Sequence, residues 1–149
     1  MRVEKIMTAD PACCAPDDEL RVIAQLMVEH DCGEIPICDD GHKPVGVVTD
    51  RDITCRLVAK GMNPLEMKAA DCMSSPVITV GPETAIEEAS RLMEQYQLRR
   101  LPVVDGGGRI CGMVAQADLA KKGPSQIAME VVQKVSEPNV MASSAGGSR

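Results

Sequence analysis

The stretch Gly46-Val-Val-Thr-Asp-Arg-Asp52 places a hydroxyl, a guanidinium and a carboxylate within four residues, at Thr49, Arg51 and Asp52. An ionised carboxylate accepts charge-assisted hydrogen bonds, a hydroxyl both donates and accepts, and a guanidinium carries fixed positive charge. The spacing Thr49-x-x-Asp52 also fits a variant of the capping box, in which threonine caps a helix and an acid three residues on reaches back. At an offset of 66 residues the chain writes Gly112-Met-Val-Ala-Gln-Ala-Asp118, which keeps Gly, Val and Asp but puts Ala115 where the threonine stood. Ala115 has no side-chain acceptor, so the reciprocal box is impossible there. An aspartate retained without that partner asks for another role, the plain alternative being its attraction to a helix dipole.

The same offset aligns much more of the chain. Met7 meets Met73, Pro16 meets Pro82, Leu26 and Met27 meet Leu92 and Met93, Pro36 meets Pro102, Asp39 meets Asp105 and Gly41 meets Gly107. No insertion interrupts the register between Pro16 and Asp52, so the chain is a tandem duplication. In each copy apolar residues follow helical spacing, at Leu20, Ile23, Leu26 and Met27 and at Ile86, Ala89, Leu92 and Met93, with Asp17, Asp18 and Glu83 expected at the helix start. Two short extended runs joined by Asp/Gly turns follow, then a second helix starting near Asp52 or Asp118. The expected order per copy is strand, helix, strand, strand, helix, led by the equivalent segments Val3–Met7 and Ala69–Met73. A repeat of about 50 residues is too small to bury both faces of its sheet, so the copies should share a core with two-fold pseudosymmetry.

Composition narrows the function. A net charge of −6 disfavours the counterion release on which general nucleic-acid binding depends. With no Trp, no Phe and only Tyr96, there is no platform for stacking bases. No apolar run suits a membrane span, and the charged start Met-Arg-Val-Glu-Lys does not suit a signal peptide, so a cytoplasmic protein is expected. Seven cysteines, an odd number, argue against a disulfide framework; most are expected to be buried thiols.

The two Met-(Thr/Ser) leads, the Pro-headed helices, Ile35-Pro-Ile-Cys-Asp39 with Leu101-Pro-Val-Val-Asp105, and the paired Gly-x-Val-x-x-x-Asp motifs resemble a tandem pair of CBS domains, a Bateman module. The resemblance covers about residues 3–121 and is similar to stand-alone bacterial two-CBS proteins of the mycobacterial hypoxic response type. It implies an α+β fold of two β-α-β-β-α repeats, at residues 3–58 and 69–122. A linker is expected at 59–68, and the helical spacing of Ile127, Val131 and Val135 predicts a C-terminal helix within 123–149, followed by a disordered tail.

The resemblance also implies an adenosine-containing ligand of the AMP, ATP or NAD type, with no cofactor required. Asp52 and Asp118 would accept from ribose hydroxyls, while Thr49 and Arg51 at a helix start would face phosphate. Arg99 and Arg100 would add guanidinium contacts to phosphate, against a plain alternative of solvated surface charge. Adenine would lie among aliphatic side chains near Ile35 and Val80. One competent site, completed by Arg100, and one weaker site at Asp118 are expected.

Catalysis finds no support: there is no P-loop ending, no Gly-x-Ser-x-Gly and no His-Glu-x-x-His. His30 should end a helix and His42 sit in a turn. Soft donors exist at Cys13, Cys14, Cys32, Cys38, His30 and His42, but no Cys-x-x-Cys pair marks a zinc site, and no metal is expected. The chain reads as a non-catalytic regulatory module, a homodimer that signals ligand occupancy to a partner protein and engages neither nucleic acid nor membrane. The alternatives are a dimeric assembly protein with vestigial clefts, or a Cys/His metal or redox sensor.

Overall fold

The lead segment of each copy belongs to the body of the other. A computed structural model describes residues 1–123 together with 127, 129, 130 and 133, so the expected C-terminal helix, apart from those four positions, and the tail lie outside the described residues. Among the described residues, one compact unit combines Met1–Pro11 with those from Ile78 onward, and the other is built on Ala12–Val77.

In the first of these units, β1 (Thr8–Ala9) pairs antiparallel with β5 (Ile110–Ala115), which pairs antiparallel with β4 (Arg100–Val104). The unit also holds α3 (Ile86–Tyr96) and α4 (Gln116–Lys122). In the second, β2 (Glu34–Cys38) pairs antiparallel with β3 (Pro44–Thr49), alongside α1 (Leu20–Glu29). Its closing helix starts with α2 (Asp50–Asp52), widens through a π-type turn over Ile53–Leu57 and tightens over Val58–Lys60, where Gly61 ends it at φ +76°. The strand β1 has its counterpart in a single bridge between Val47 and Ser74. Both leads begin with one tight turn, Val3–Lys5 and Ala69–Asp71.

Each core therefore contains residues of both copies. Val3 and Ile6 pack with Ile86, Ala89, Met93, Leu101 and Val103 in one; Ala69 and Cys72 pack with Leu20, Ile23, Met27, Ile35 and Ile37 in the other. The helical periodicity read from the sequence holds, since Leu20, Ile23 and Met27, and Ile86, Ala89 and Met93, are the buried positions of α1 and α3. The lead crossing explains the retained glycines. A Cβ at Gly46 would stand 2.9 Å from Met73 Sδ and 3.1 Å from the Ser74 carbonyl oxygen, and one at Gly112 would stand 2.5 Å from Met7 Sδ and 3.1 Å from the Thr8 carbonyl oxygen, so a side chain at either place would have to displace the methionine and press on the lead's backbone.

The helices start later than the acidic residues suggest. Glu19 and Ala85 are the N-caps of α1 and α3, and neither side chain caps. Asp18 instead closes the preceding turn by accepting the Ala15 N–H at 2.8 Å, as Thr84 does for the Gly81 N–H at 2.9 Å. These short polar side chains compete for backbone groups before the helix and delay its start.

Candidate functional site: two strand-to-helix corners

At the end of β3 the chain turns directly into α2, and Thr49 and Asp52 form the reciprocal box. The Asp52 N–H donates to Thr49 Oγ1 at 3.0 Å, and the Thr49 N–H donates to Asp52 Oδ2 at 3.2 Å. Asp52 is 1% exposed, the one charged residue among the buried side chains of the described residues. A buried carboxylate needs hydrogen bonds to offset its desolvation. The lead of the second copy supplies one, because Ser74 Oγ donates to Asp52 Oδ2 at 3.5 Å. Arg56 Nη1 in turn donates to Ser74 Oγ at 3.2 Å and to the Cys72 carbonyl at 3.1 Å. Ser74 and Arg56 were not visible as site residues in the sequence, since Ser74 lies 22 positions from Asp52 and arrives only through the exchanged lead. Arg51 is exposed on the outer face of the same turn.

The second corner, where β5 enters α4, is half of this arrangement. The Ala115 N–H donates to Asp118 Oδ2 at 2.8 Å. A reciprocal box is absent, as the alanine requires, yet the acid still reaches back to the N-cap N–H, so only the Oγ half is missing. Asp118 is half-buried. The sheet register sets Arg100 beside Ala115, and the Arg99 carbonyl accepts the Gln116 N–H at 2.8 Å, so both arginines stand at the sheet end that leads to Asp118. Arg99 is exposed and Arg100 half-exposed. Gln116 was missed by sequence reasoning: among the described residues its Oε1 is buried without a hydrogen-bond partner.

Ile35 and Val80 lie deeper than an adenine-lining role suggests. Ile35, 1% exposed, and Val80, 6% exposed, belong to the apolar cores of their respective units. The Val80 N–H donates to the Pro102 carbonyl at 3.1 Å, and its carbonyl accepts the Val104 N–H at 2.8 Å.

All seven cysteines are free, and only Cys14, Cys38 and Cys72 are buried, fewer than the sequence suggests. Burial first, then neighbouring Asp18, pushes the Cys14 thiol up to about 11. Burial first, then the Asp52 charge, does the same for Cys72. Burial and then Cys13 push Cys38 up to about 12. Cys13, Cys38 and His42 gather with their donor atoms all within 4.8 Å of one another. His30 ends α1 as its C-cap, and His42 lies in the β2–β3 turn, as expected. No helix among the described residues is long and apolar enough to cross a membrane.

This architecture of repeated strand-to-helix corners agrees with comparison to known proteins. The family model of the CBS domain matches residues 3–59 and 69–124. The chain belongs to the CBS-domain family, as a tandem pair. It is 34% identical to Hypoxic response protein 1 of Mycobacterium tuberculosis over 138 residues, 93% of this chain and 96% of that protein. A Methanopyrus kandleri protein is 36% identical over 126 residues, 85% of this chain, which spans 64% of that relative's length. Among solved structures, Hypoxic Response Protein I with two coordinated zinc ions superposes with a TM-score of 0.76 at 35% identity, covering 83% of this chain and 100% of that one. CBSX2 in complex with AMP gives a TM-score of 0.68 at 26% identity, covering 89% and 96%.

Proposed function

We propose that this CBS pair is a non-catalytic, cytoplasmic regulatory module that binds an adenosine-containing ligand of the AMP or ATP type and, as a homodimer, signals its occupancy to a partner protein. The observation that carries this reading is the corner at Thr49–Asp52. It presents a hydroxyl, a buried carboxylate and an exposed guanidinium at one helix start, within a family that includes an AMP complex. A carboxylate has about four acceptor positions, so serving as a cap and accepting from a ribose are compatible roles. Thr49 and Arg51 are the phosphate-facing groups in this reading, with Arg51 supplying the charge. At the second corner Asp118 is the ribose acceptor and Gln116 Oε1 a further acceptor, and Arg99 and Arg100, at the sheet end leading to it, supply positive charge here, in place of the expectation that Arg100 completes the Thr49–Asp52 site. Ile35 and Val80 support these corners from beneath as core residues.

Occupancy regulates a partner only where the ligand binds two arrangements with different affinity. Calorimetry with AMP and with ATP tests the binding step. Arg51→Ala is the informative variant, because Arg51 is exposed and its removal spares the capping box. Saturable binding by the parent chain, weakened about tenfold by Arg51→Ala, is expected. Absence of heat and of any thermal shift with either nucleotide would favour the assembly reading, in which the corners are purely structural.

A further inference from the structure

The turn joining β2 to β3 and the turn joining β4 to β5 have the same hydrogen-bond skeleton. Asp39 Oδ1 accepts the Gly41 and Lys43 N–H groups at 2.9 and 3.0 Å; Asp105 Oδ1 accepts those of Gly107 and Arg109 at 2.9 and 3.1 Å. The segment preceding each helix also docks identically. Cys14 donates to the Pro36 carbonyl and accepts from Cys38 N–H, as Val80 does with Pro102 and Val104. Three matched positions differ in kind: Cys13, Cys38 and His42 in one unit stand where Thr79, Val104 and Gly108 stand in the other.

The backbone therefore forms without these three donors, and at one position it forms more easily without them. His42 has φ +62°, a left-handed conformation uncommon outside glycine, though His, Asn and Asp adopt it more often than other residues; Gly108 holds the matching place at φ +81°. Accepting this conformation turns the imidazole toward the thiols, with His42 Nδ1 4.0 Å from Cys13 Sγ. Around a tetrahedral ion with Zn–S near 2.3 Å and Zn–N near 2.0 Å, donors stand roughly 3.5–3.8 Å apart. The 4.8 Å spread is thus within a small side-chain adjustment of that geometry.

We propose that Cys13, Cys38 and His42 form a binding site for a thiophilic divalent cation of the zinc class, its fourth position left to solvent. Two thiolates and an imidazole are soft donors that select such an ion over magnesium or calcium. Two thiolate charges neutralise the ion, so the filled site, which includes buried Cys38, carries no net charge. The site shares no residue with the nucleotide corners and stands or falls independently of them.

The test uses the full chain, reduced and stripped with a chelator, titrated with cobalt(II) and then with zinc(II) against a chromogenic chelator. One cobalt per chain is expected, with thiolate charge-transfer and tetrahedral visible absorption, displaced by zinc. His42→Gly installs the residue the other turn already uses, so the fold is retained, and zinc affinity should fall at least about tenfold. The triple variant Cys13→Thr, Cys38→Val, His42→Gly should lose the thiolate band while keeping the parent circular dichroism. A parent chain without that band, or His42→Gly binding zinc as tightly as the parent, overturns the proposal.

Discussion

The two strand-to-helix corners share a backbone and differ in how their aspartates are held. At Asp52 the box is complete and a second element, Ser74 backed by Arg56, also donates to the carboxylate. At Asp118 only the Ala115 N–H reaches the carboxylate among the bonds described, and the positions matching Ser74 and Arg56 are the exposed Thr8 and Lys122. The difference teaches that one corner is built around a buried charge, whereas the other tolerates its acid at half-exposure. Substitution should expose this as the largest effect. Asp52→Ala strips acceptors from the Thr49 N–H and the Ser74 hydroxyl in a dry setting and should destabilise by about 2–3 kcal/mol. Asp118→Ala removes one cap contact, worth about 1 kcal/mol. Urea unfolding of the two variants measures the gap; equal losses would erase the distinction between the corners.

The comparison extends into the cores. Buried Cys72, 2% exposed, occupies the place that Ile6, 1% exposed, fills in the other unit. Burial, reinforced by the Asp52 charge, raises the Cys72 thiol from 9.0 to about 11. The fold thus favours the neutral thiol. Its contribution is fully present below pH 9 and is lost as pH rises through about 11. The melting temperature should therefore decline between pH 9 and 11, and Cys72→Ile, which borrows the residue of the other unit, should lessen that decline, the remainder coming from Cys14 and Cys38, whose thiols burial also raises. An unchanged slope in Cys72→Ile would show that the alkaline loss arises elsewhere.

Much of this was legible in the sequence because the duplication wrote each signal twice. The register of 66 residues fixed the strand and helix order, and the apolar spacing of Leu20, Ile23 and Met27 identified the buried face of α1. The Thr49-x-x-Asp52 spacing announced its box correctly. What the sequence could not show depended on chain crossing. Ser74 reaches Asp52 only because the leads exchange bodies, and local spacing contains no trace of an exchange. The bond that Asp118 keeps was missed because capping was treated as one reciprocal unit, whereas the acid's bond to the N-cap N–H survives loss of the hydroxyl. Cys13, Cys38 and His42 stood in the sequence only as three of six candidate soft donors, for a third reason. They come from a docking segment, a strand end and a turn, so no fixed spacing links them.

The smallest expected effect separates backbone demand from side-chain chemistry in the two turns. Gly108 at φ +81° accepts its conformation without strain, so Gly108→Ala should destabilise by about 1 kcal/mol. His42→Gly should, in the metal-stripped chain, leave stability within about 0.5 kcal/mol of the parent, because relief of the left-handed strain offsets the added flexibility of the unfolded chain. Thermal unfolding of both variants, each with and without zinc, resolves the two contributions. Stripped of metal, the parent should gain nothing from its histidine; with zinc present, the parent and Gly108→Ala should melt higher and His42→Gly should gain much less, since an ion that binds only the folded state stabilises by mass action. If His42→Gly were instead strongly destabilised without metal, the histidine would be serving the turn itself. The contrast between a structural glycine and a chemical histidine at one backbone position would then disappear.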